Sequence, residues 1–319
     1  MAGVLRRAVL GGMAAAAWAA GAGARPRGRP VAPADLEGTW TLGTYTDLER
    51  PADLHALVLT PAEAEAYEGP RRKLRGMPAP KAEDVLGQAE AEFNERGDGL
   101  GRVRGQIRSS WIVDPPDGKI PFTPAGLAAL AREKTDPALP AANPEETGVT
   151  TRCLGSAAAG APMAGAPDAN LFQIVQTPAA VVILTEKYHE ARIIRMGTAA
   201  QGPPQPPQWT GDGVGHWEGA TLVVETLGNH PGQHWRGGRL LGADTTRVTE
   251  RFTRTGPAEL TYEFTVTDPA LYTQPWRGEM ALKPAPGAMF EFACHEGNYS
   301  LPGILAGARV EERAATTGW

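Results

Sequence analysis

From residue 170 onward the chain is written in short runs of Val, Ile, Leu, Thr, Phe and Tyr, broken by turns that carry Gly and Pro. Runs of that length with period-two alternation are half-buried strands rather than helices. The pattern predicts strands over residues 171–176, 181–196, 221–227, 246–255, 259–267, 274–283 and 288–295. Two more precede them. Residues 36–46 alternate bulky and small-polar positions around Trp40, and residues 106–113 run into Asp114-Pro115-Pro116-Asp117-Gly118, a strong turn signal. Residues 211–219, around His216 and Trp217, read as turns. Short strands at this spacing predict a mainly β fold, an antiparallel meander closed as a lipocalin-like barrel or bent into a curved sheet.

Helical signals are confined to residues 60–134, an insertion in a single β-rich domain over 34–319. Thr60-Pro61-Ala62-Glu63 supplies an N-cap, a proline at the first helical position and an acid two residues on, and the helix runs to about Glu68. Residues 81–95 predict a second helix. Thr123-Pro124 opens a third, through about Lys134, by the same logic. These two or three helices should sit at the barrel's periphery. Residues 155–169 are dominated by Ala, Gly and Pro and read as a loop or lid.

The first 24 residues change the picture of where such a domain works. Arg6 and Arg7 precede an apolar, Ala-rich stretch, and Ala22-Gly23-Ala24 is a small-residue cleavage signal. This predicts a signal peptide cut near Ala24, a mobile Pro-rich tail over 25–33, and a periplasmic or secreted protein. No later segment is long and apolar enough to span a bilayer. Export also gives meaning to the two cysteines: in an oxidising compartment Cys153 and Cys294 are expected to pair as a disulfide, the alternative being two unpaired thiols, one of them buried. The formal net charge of −5 argues against nucleic acid as a partner, because phosphate binding needs a basic face.

The run over 181–196 is greasy at both ends and charged in the middle. Read as one strand, parity puts Val182, Leu184, Glu186, Tyr188, Glu190, Arg192 and Ile194 on one face and His189 on the other. If that face points inward, Glu190 or His295 is the base and Arg192 the anion or oxyanion partner, with Glu186 and Tyr188 lining the same cavity. If it points outward, the same row is a solvated ion row of little consequence. His295, at the end of the strand expected over 288–295, suits proton transfer near neutral pH and is favoured over His189 as the third group. Glu296 and Tyr299 follow it as ligand-binding candidates.

Other chemistries are poorly served. Ser109, Ser110, Ser156 and Ser300 are the only serines, and none lies in G-x-S-x-G. His216, His230 and His234 could ligate a metal, but Pro231 and Gly232 break the helix that H-E-x-x-H requires, so neither a metal nor a cofactor is expected. Two-carboxylate glycosidase chemistry, pairing Glu186 or Glu190 with Glu225, Glu250 or Glu296, stays open.

Several blocks carry a family resemblance: Ile183-Leu184-Thr185-Glu186, His189-Glu190-Ala191-Arg192-Ile193-Ile194, Thr221-Leu222-Val223-Val224-Glu225-Thr226, Glu250-Arg251-Phe252 and Ala293-Cys294-His295-Glu296-Gly297-Asn298-Tyr299. With these the chain resembles a family of uncharacterised exported bacterial proteins. The resemblance implies export and favours His189, Glu190, Arg192, His295 and Glu296 as site residues, but it implies no activity. Three functions follow as expectations. The first is an exported enzyme performing acid–base chemistry (hydrolysis, isomerisation or elimination) on a small organic molecule in a barrel cavity. The second is a lipocalin-like carrier without turnover. The third is a structural envelope protein.

Overall fold

The computed structural model describes residues 34–75, 97, 99–134, 141–155, 158, 160–165, 169–197, 206–230, 242–285 and 287–317. The expected signal peptide and tail, the expected helix over 81–95, and His234 lie outside the described residues. The elements run in the order β1 Gly38–Thr41, β2 Val58–Leu59, α1 Pro61–Arg75, β3 Arg102–Val103, β4 Gln106–Arg108, β5 Ile112–Asp114, α2 Pro124–Lys134, β6 Leu171–Gln176, β7 Ala180–Thr185, β8 Ala191–Met196, β9 Asp212–Glu218, β10 Thr221–Leu227, β11 Arg247–Gly256, β12 Glu259–Thr267, β13 Trp276–Pro284 and α3 Ser300–Thr317.

Nine strands close a barrel in the order β1-β6-β7-β8-β9-β10-β11-β12-β13, and β13 returns to β1 through Thr41↔Lys283 and Trp40↔Pro284. Direction alternates around an antiparallel ring, so a ring with an odd number of strands must contain a parallel step. Here that step is β8–β9, where Ile194, Arg195 and Met196 pair with Gly213, Val214 and Gly215. The barrel is therefore mixed rather than a pure antiparallel meander. β9 itself occupies residues that read as turns. Its glycines explain both the misreading and the packing: a Cβ at Gly215 would lie 2.9 Å from the Ile194 side chain.

The run 181–196 is not one strand. It is a hairpin, β7 and β8, reversed by a tight turn over Lys187–His189. As a single strand it would stretch about 50 Å, far longer than a strand in a globular domain. The burial phase records the reversal. Val181, Ile183 and Thr185 are buried on β7, whereas Arg192 and Ile194 are buried on β8, so odd positions give way to even ones. The shared face assigned to Glu186, Tyr188, Glu190 and Arg192 does not exist.

The segment over 288–295 is not a strand either. Pro284 ends β13, and the N–H groups that a ladder would have used go elsewhere: Phe290 N–H to Glu186 Oε2 at 2.8 Å and Phe292 N–H to His189 Nε2 at 3.1 Å. Residues 106–113 divide into β4 and β5. The chain also ends its described part in a third helix, α3, which lies outside the 60–134 region and which Asn298 caps by accepting Leu301 N–H at 3.3 Å. At α1 the expected capping box forms. Thr60 N–H donates to Glu63 Oε2 at 2.8 Å and Glu63 N–H to Thr60 Oγ1 at 3.3 Å, though the helix continues past Glu68 to Arg75.

The core sits inside the barrel. Leu260, Tyr262, Phe264 and Val266 of β12 face Trp276, Met280 and Leu282 of β13 and, across the barrel, Trp40, Phe172 and Ile183. Outside, β2, β4 and β3 form a small sheet that shares a second apolar cluster with α1, made of Leu59, Ala64, Tyr67, Leu100 and Ile107. Arg108 of that sheet, together with Arg104 at 2.7 Å, ion-pairs with Glu279 on the outer face of β13.

Candidate functional site

Two polar constellations flank the centre of the barrel. The first is inside it. Arg192 and Glu250 are both fully buried and form a bidentate pair, with Nη1 donating to Oε1 at 2.9 Å and Nη2 bonded to Oε2. Arg192 Nη2 also donates to Thr226 Oγ1 at 2.7 Å, and Tyr262 donates its hydroxyl proton to Glu250 Oε1 at 2.7 Å. Burial alone would weaken the guanidinium's hold on its proton. The Glu250 charge and hydrogen bonds override it, and the pKa of Arg192 lies above its ordinary value. Burial, reinforced by the Glu250 charge, pushes the Tyr262 phenol well above its ordinary range, so the hydroxyl stays neutral. Both terminal nitrogens of Arg192 are thus committed to neighbours inside the protein. Its geometry is that of a charge pair holding β8, β10, β11 and β12 in register.

The second constellation lies where β7 turns into β8 and β6 begins. Three pieces of chain meet there: the turn over 186–190, the loop over 149–155 and the segment over 290–299. The Cys153–Cys294 disulfide joins the last two, as expected, across 141 residues of sequence. Glu186 and His189 accept the Phe290 and Phe292 amides, as above. The Tyr188 ring meets Phe292 edge-on at 4.9 Å, and its hydroxyl donates to Thr150 O at 3.2 Å. Lys187 is buried, with its ammonium 5.5 Å from both ring centroids. Glu190 is only 9% exposed. Its carboxylate packs on Gly155, where a Cβ would come within 2.7 Å of Oε1.

The backbone here is strained. Tyr188 and His189 are consecutive left-handed residues, at φ 62° and 49°, and Cys153 is a third at φ 56°. Three of the four non-glycine residues with positive φ among the described residues therefore fall in this one cluster. Each such residue costs about 1–3 kcal/mol and persists only where its surroundings hold it.

The site expected from sequence is thus divided. Glu186, Tyr188, His189 and Glu190 come together at the mouth with the disulfide. Arg192 does not join them and points into the barrel. His295, Glu296 and Tyr299 lie on an exposed turn after Cys294, with Tyr299 83% exposed. His216 lies on β9, 3.3 Å from Glu218, which Arg251 also bonds at 2.9 Å, while His230 stacks on Trp209 with ring centroids 4.1 Å apart. Among the described residues no group of three His, Cys, Asp or Glu side chains is placed to hold a metal ion. Lys187 was missed, because parity on an unbroken strand turned it away from Glu190. The partnership of Glu250, Thr226 and Tyr262 with Arg192 was missed as well, though its signal is present: Val248-Glu250-Phe252 and Leu260-Tyr262-Phe264 put an acid and a phenol at apolar-face positions.

Among the described residues no helix is long and apolar enough to cross a membrane. No protein-family model, curated protein or solved structure matches the chain.

Proposed function

We propose that this is an exported small-molecule-binding barrel whose ligand enters at the end strapped by Cys153–Cys294. The observation that carries the reading is the concentration at that mouth of left-handed backbone at Cys153, Tyr188 and His189 around two buried side chains of opposite charge, Lys187 and Glu190. Strain clusters where a fold must present groups in one geometry, and buried charge clusters where a ligand is to be oriented. The Tyr188–Phe292 pair supplies an apolar wall for a small organic molecule. A disulfide between distant segments suits an oxidising compartment, in keeping with the signal peptide read from residues 1–24.

Acid–base turnover is the second reading, and the burial of Glu190 favours it, since a desolvated carboxylate is the group such chemistry uses. Arg192 is committed to Glu250, so in this reading Glu190 works from the mouth without it.

The test is a ligand-observed NMR screen of small organic molecules against the mature chain, repeated on Lys187→Ala and Glu190→Gln, with reaction products followed by mass spectrometry. Binding that falls at least tenfold in both variants is expected. No ligand at millimolar concentration, or binding indifferent to both substitutions, overturns the assignment. Product formation abolished in Glu190→Gln selects the enzyme over the carrier.

A further inference from the structure

Residues 160–165, in the stretch that reads as a loop or lid, do not cross the surface. Gly160, Ala161, Pro162 and Met163 are buried in succession, with Met163 wholly inaccessible, and none belongs to a strand or helix. Loops normally run over the surface, because a buried irregular backbone leaves polar groups to satisfy. Ala161 and Met163 belong to the same apolar cluster as the inward-facing side chains of the barrel, including Phe252, Tyr262 and Phe264. The Met163 N–H donates to the Tyr262 hydroxyl at 2.7 Å, and that hydroxyl in turn donates to Glu250. The segment starts from the mouth, where Gly155 packs on Glu190, and returns to it at Asn170, whose carbonyl accepts Leu42 N–H at 3.1 Å.

We propose that residues 160–165 are a plug occupying the ligand's place in the barrel, and that the ligand is an apolar molecule carrying one O–H or N–H donor. This rests on the small-molecule reading above and names its ligand class. The chemistry follows from Tyr262. Its proton is committed to Glu250, so the oxygen is left as an acceptor, and whatever displaces Met163 must bring a donor to it. A molecule lacking one strands that acceptor in an apolar cavity. The plug's side chains are small apart from Met163, an unbranched, adaptable filler that a ligand can replace without reshaping the walls. The occupied plug lowers apparent affinity by the fraction of time the site is covered.

The experiment uses 2-naphthol and its methyl ether, which differ in that donor, as fluorescent probes of the mature wild-type chain, Met163→Ala, Met163→Pro and Tyr262→Phe. Met163→Ala trims the plug's packing, and Met163→Pro deletes its donor. Both variants should bind 2-naphthol at least tenfold tighter than wild type and prefer it severalfold over the ether. Tyr262→Phe should abolish that preference. A measurement on wild type alone covers the case in which a variant fails to fold: saturating 2-naphthol should accelerate hydrogen exchange of the Met163 amide at least tenfold. If wild type binds as tightly as the plug variants, or the Met163 amide stays protected with probe bound, the plug is wrong and the mouth reading stands. If neither wild type nor variant binds either probe, the plug and its ligand class are wrong, and if the wider screen is also empty the mouth reading falls with them.

Discussion

The Arg192–Glu250 pair makes the most demanding stability prediction. Arg192→Met removes the cation and leaves Glu250 fully buried, with the Tyr262 hydroxyl at 2.7 Å and Thr226 at 3.5 Å as its remaining donors. Glu250→Leu leaves Arg192 buried with Thr226 as its remaining acceptor in the cluster. Stranding one member of a buried pair costs about 3–5 kcal/mol, and replacing both by apolar side chains of similar size is neutral or stabilising. Each single variant should therefore lose roughly 3–5 kcal/mol, and Arg192→Met/Glu250→Leu should be more stable than either single. Urea unfolding followed by tryptophan fluorescence reads this as a fall in midpoint at unchanged slope. The loss should persist in 1 M salt, since a dry pair is little screened. Single variants that lose under about 1 kcal/mol would put Arg192 in the range of a solvated surface pair and return it to service as an anion-binding group. A double variant as damaged as the two singles combined would show that the two side chains act independently, which refutes the pairing.

Three further predictions stand on separate features. Reducing Cys153–Cys294, or replacing both by Ala, frees a loop spanning 141 residues, for which the chain-entropy account gives about 5 kcal/mol and measured disulfides typically about 2–4 kcal/mol; urea midpoints that coincide with and without reductant would contradict it. Tyr262 has a raised pKa in the fold, so its contribution is complete below the unfolded-state value of about 10 and is lost as pH rises past it. The stability of wild type should then fall more steeply between pH 9 and 11 than that of Tyr262→Phe, and parallel slopes would count against it. Gly278→Ala places a Cβ 2.1 Å from Phe264 Cζ in the barrel interior and should cost about 1–3 kcal/mol, with partial recovery in Gly278→Ala/Phe264→Leu; a neutral single variant would mean that the ring is not held there.

How much of this was legible depends on how local each signal is. The strands β10 to β13 and the α1 capping box are written within a few residues, and they are where the alternation and Thr60-Pro61-Ala62-Glu63 put them. The disulfide needed only two cysteines and a compartment. The β7–β8 hairpin escaped for a physical reason. Its turn, Glu186-Lys187-Tyr188-His189-Glu190, contains no Gly, Pro, Asn or Asp, and its left-handed residues are a tyrosine and a histidine, which tertiary contacts with residues 149–155 and 290–294 hold in place. Residues 288–295 have the composition of a strand, but their amides are claimed by side chains about a hundred positions earlier, and no local pattern announces that. Strand parity leaves Arg192 either inward or solvated; the structure turns it inward, and its partner lies 58 residues on, so that only the closed barrel brings them together. The plug is the sharpest case. An Ala, Gly and Pro stretch is indistinguishable from a surface loop until the barrel interior it enters is known.

If a small molecule binds at the strapped mouth of the barrel, as proposed, the backbone amides there must register it. A titration of the 15N-labelled mature chain with the strongest hit of the ligand screen, followed amide by amide, tests it most directly. Shifts are expected at residues 150–155, 160–165, 186–190 and 290–294, and at Tyr262, the plug's partner in the barrel. Shifts confined instead to the outer wall formed by Thr249, Arg251, Thr265 and Arg277, or none at saturating ligand, would contradict it.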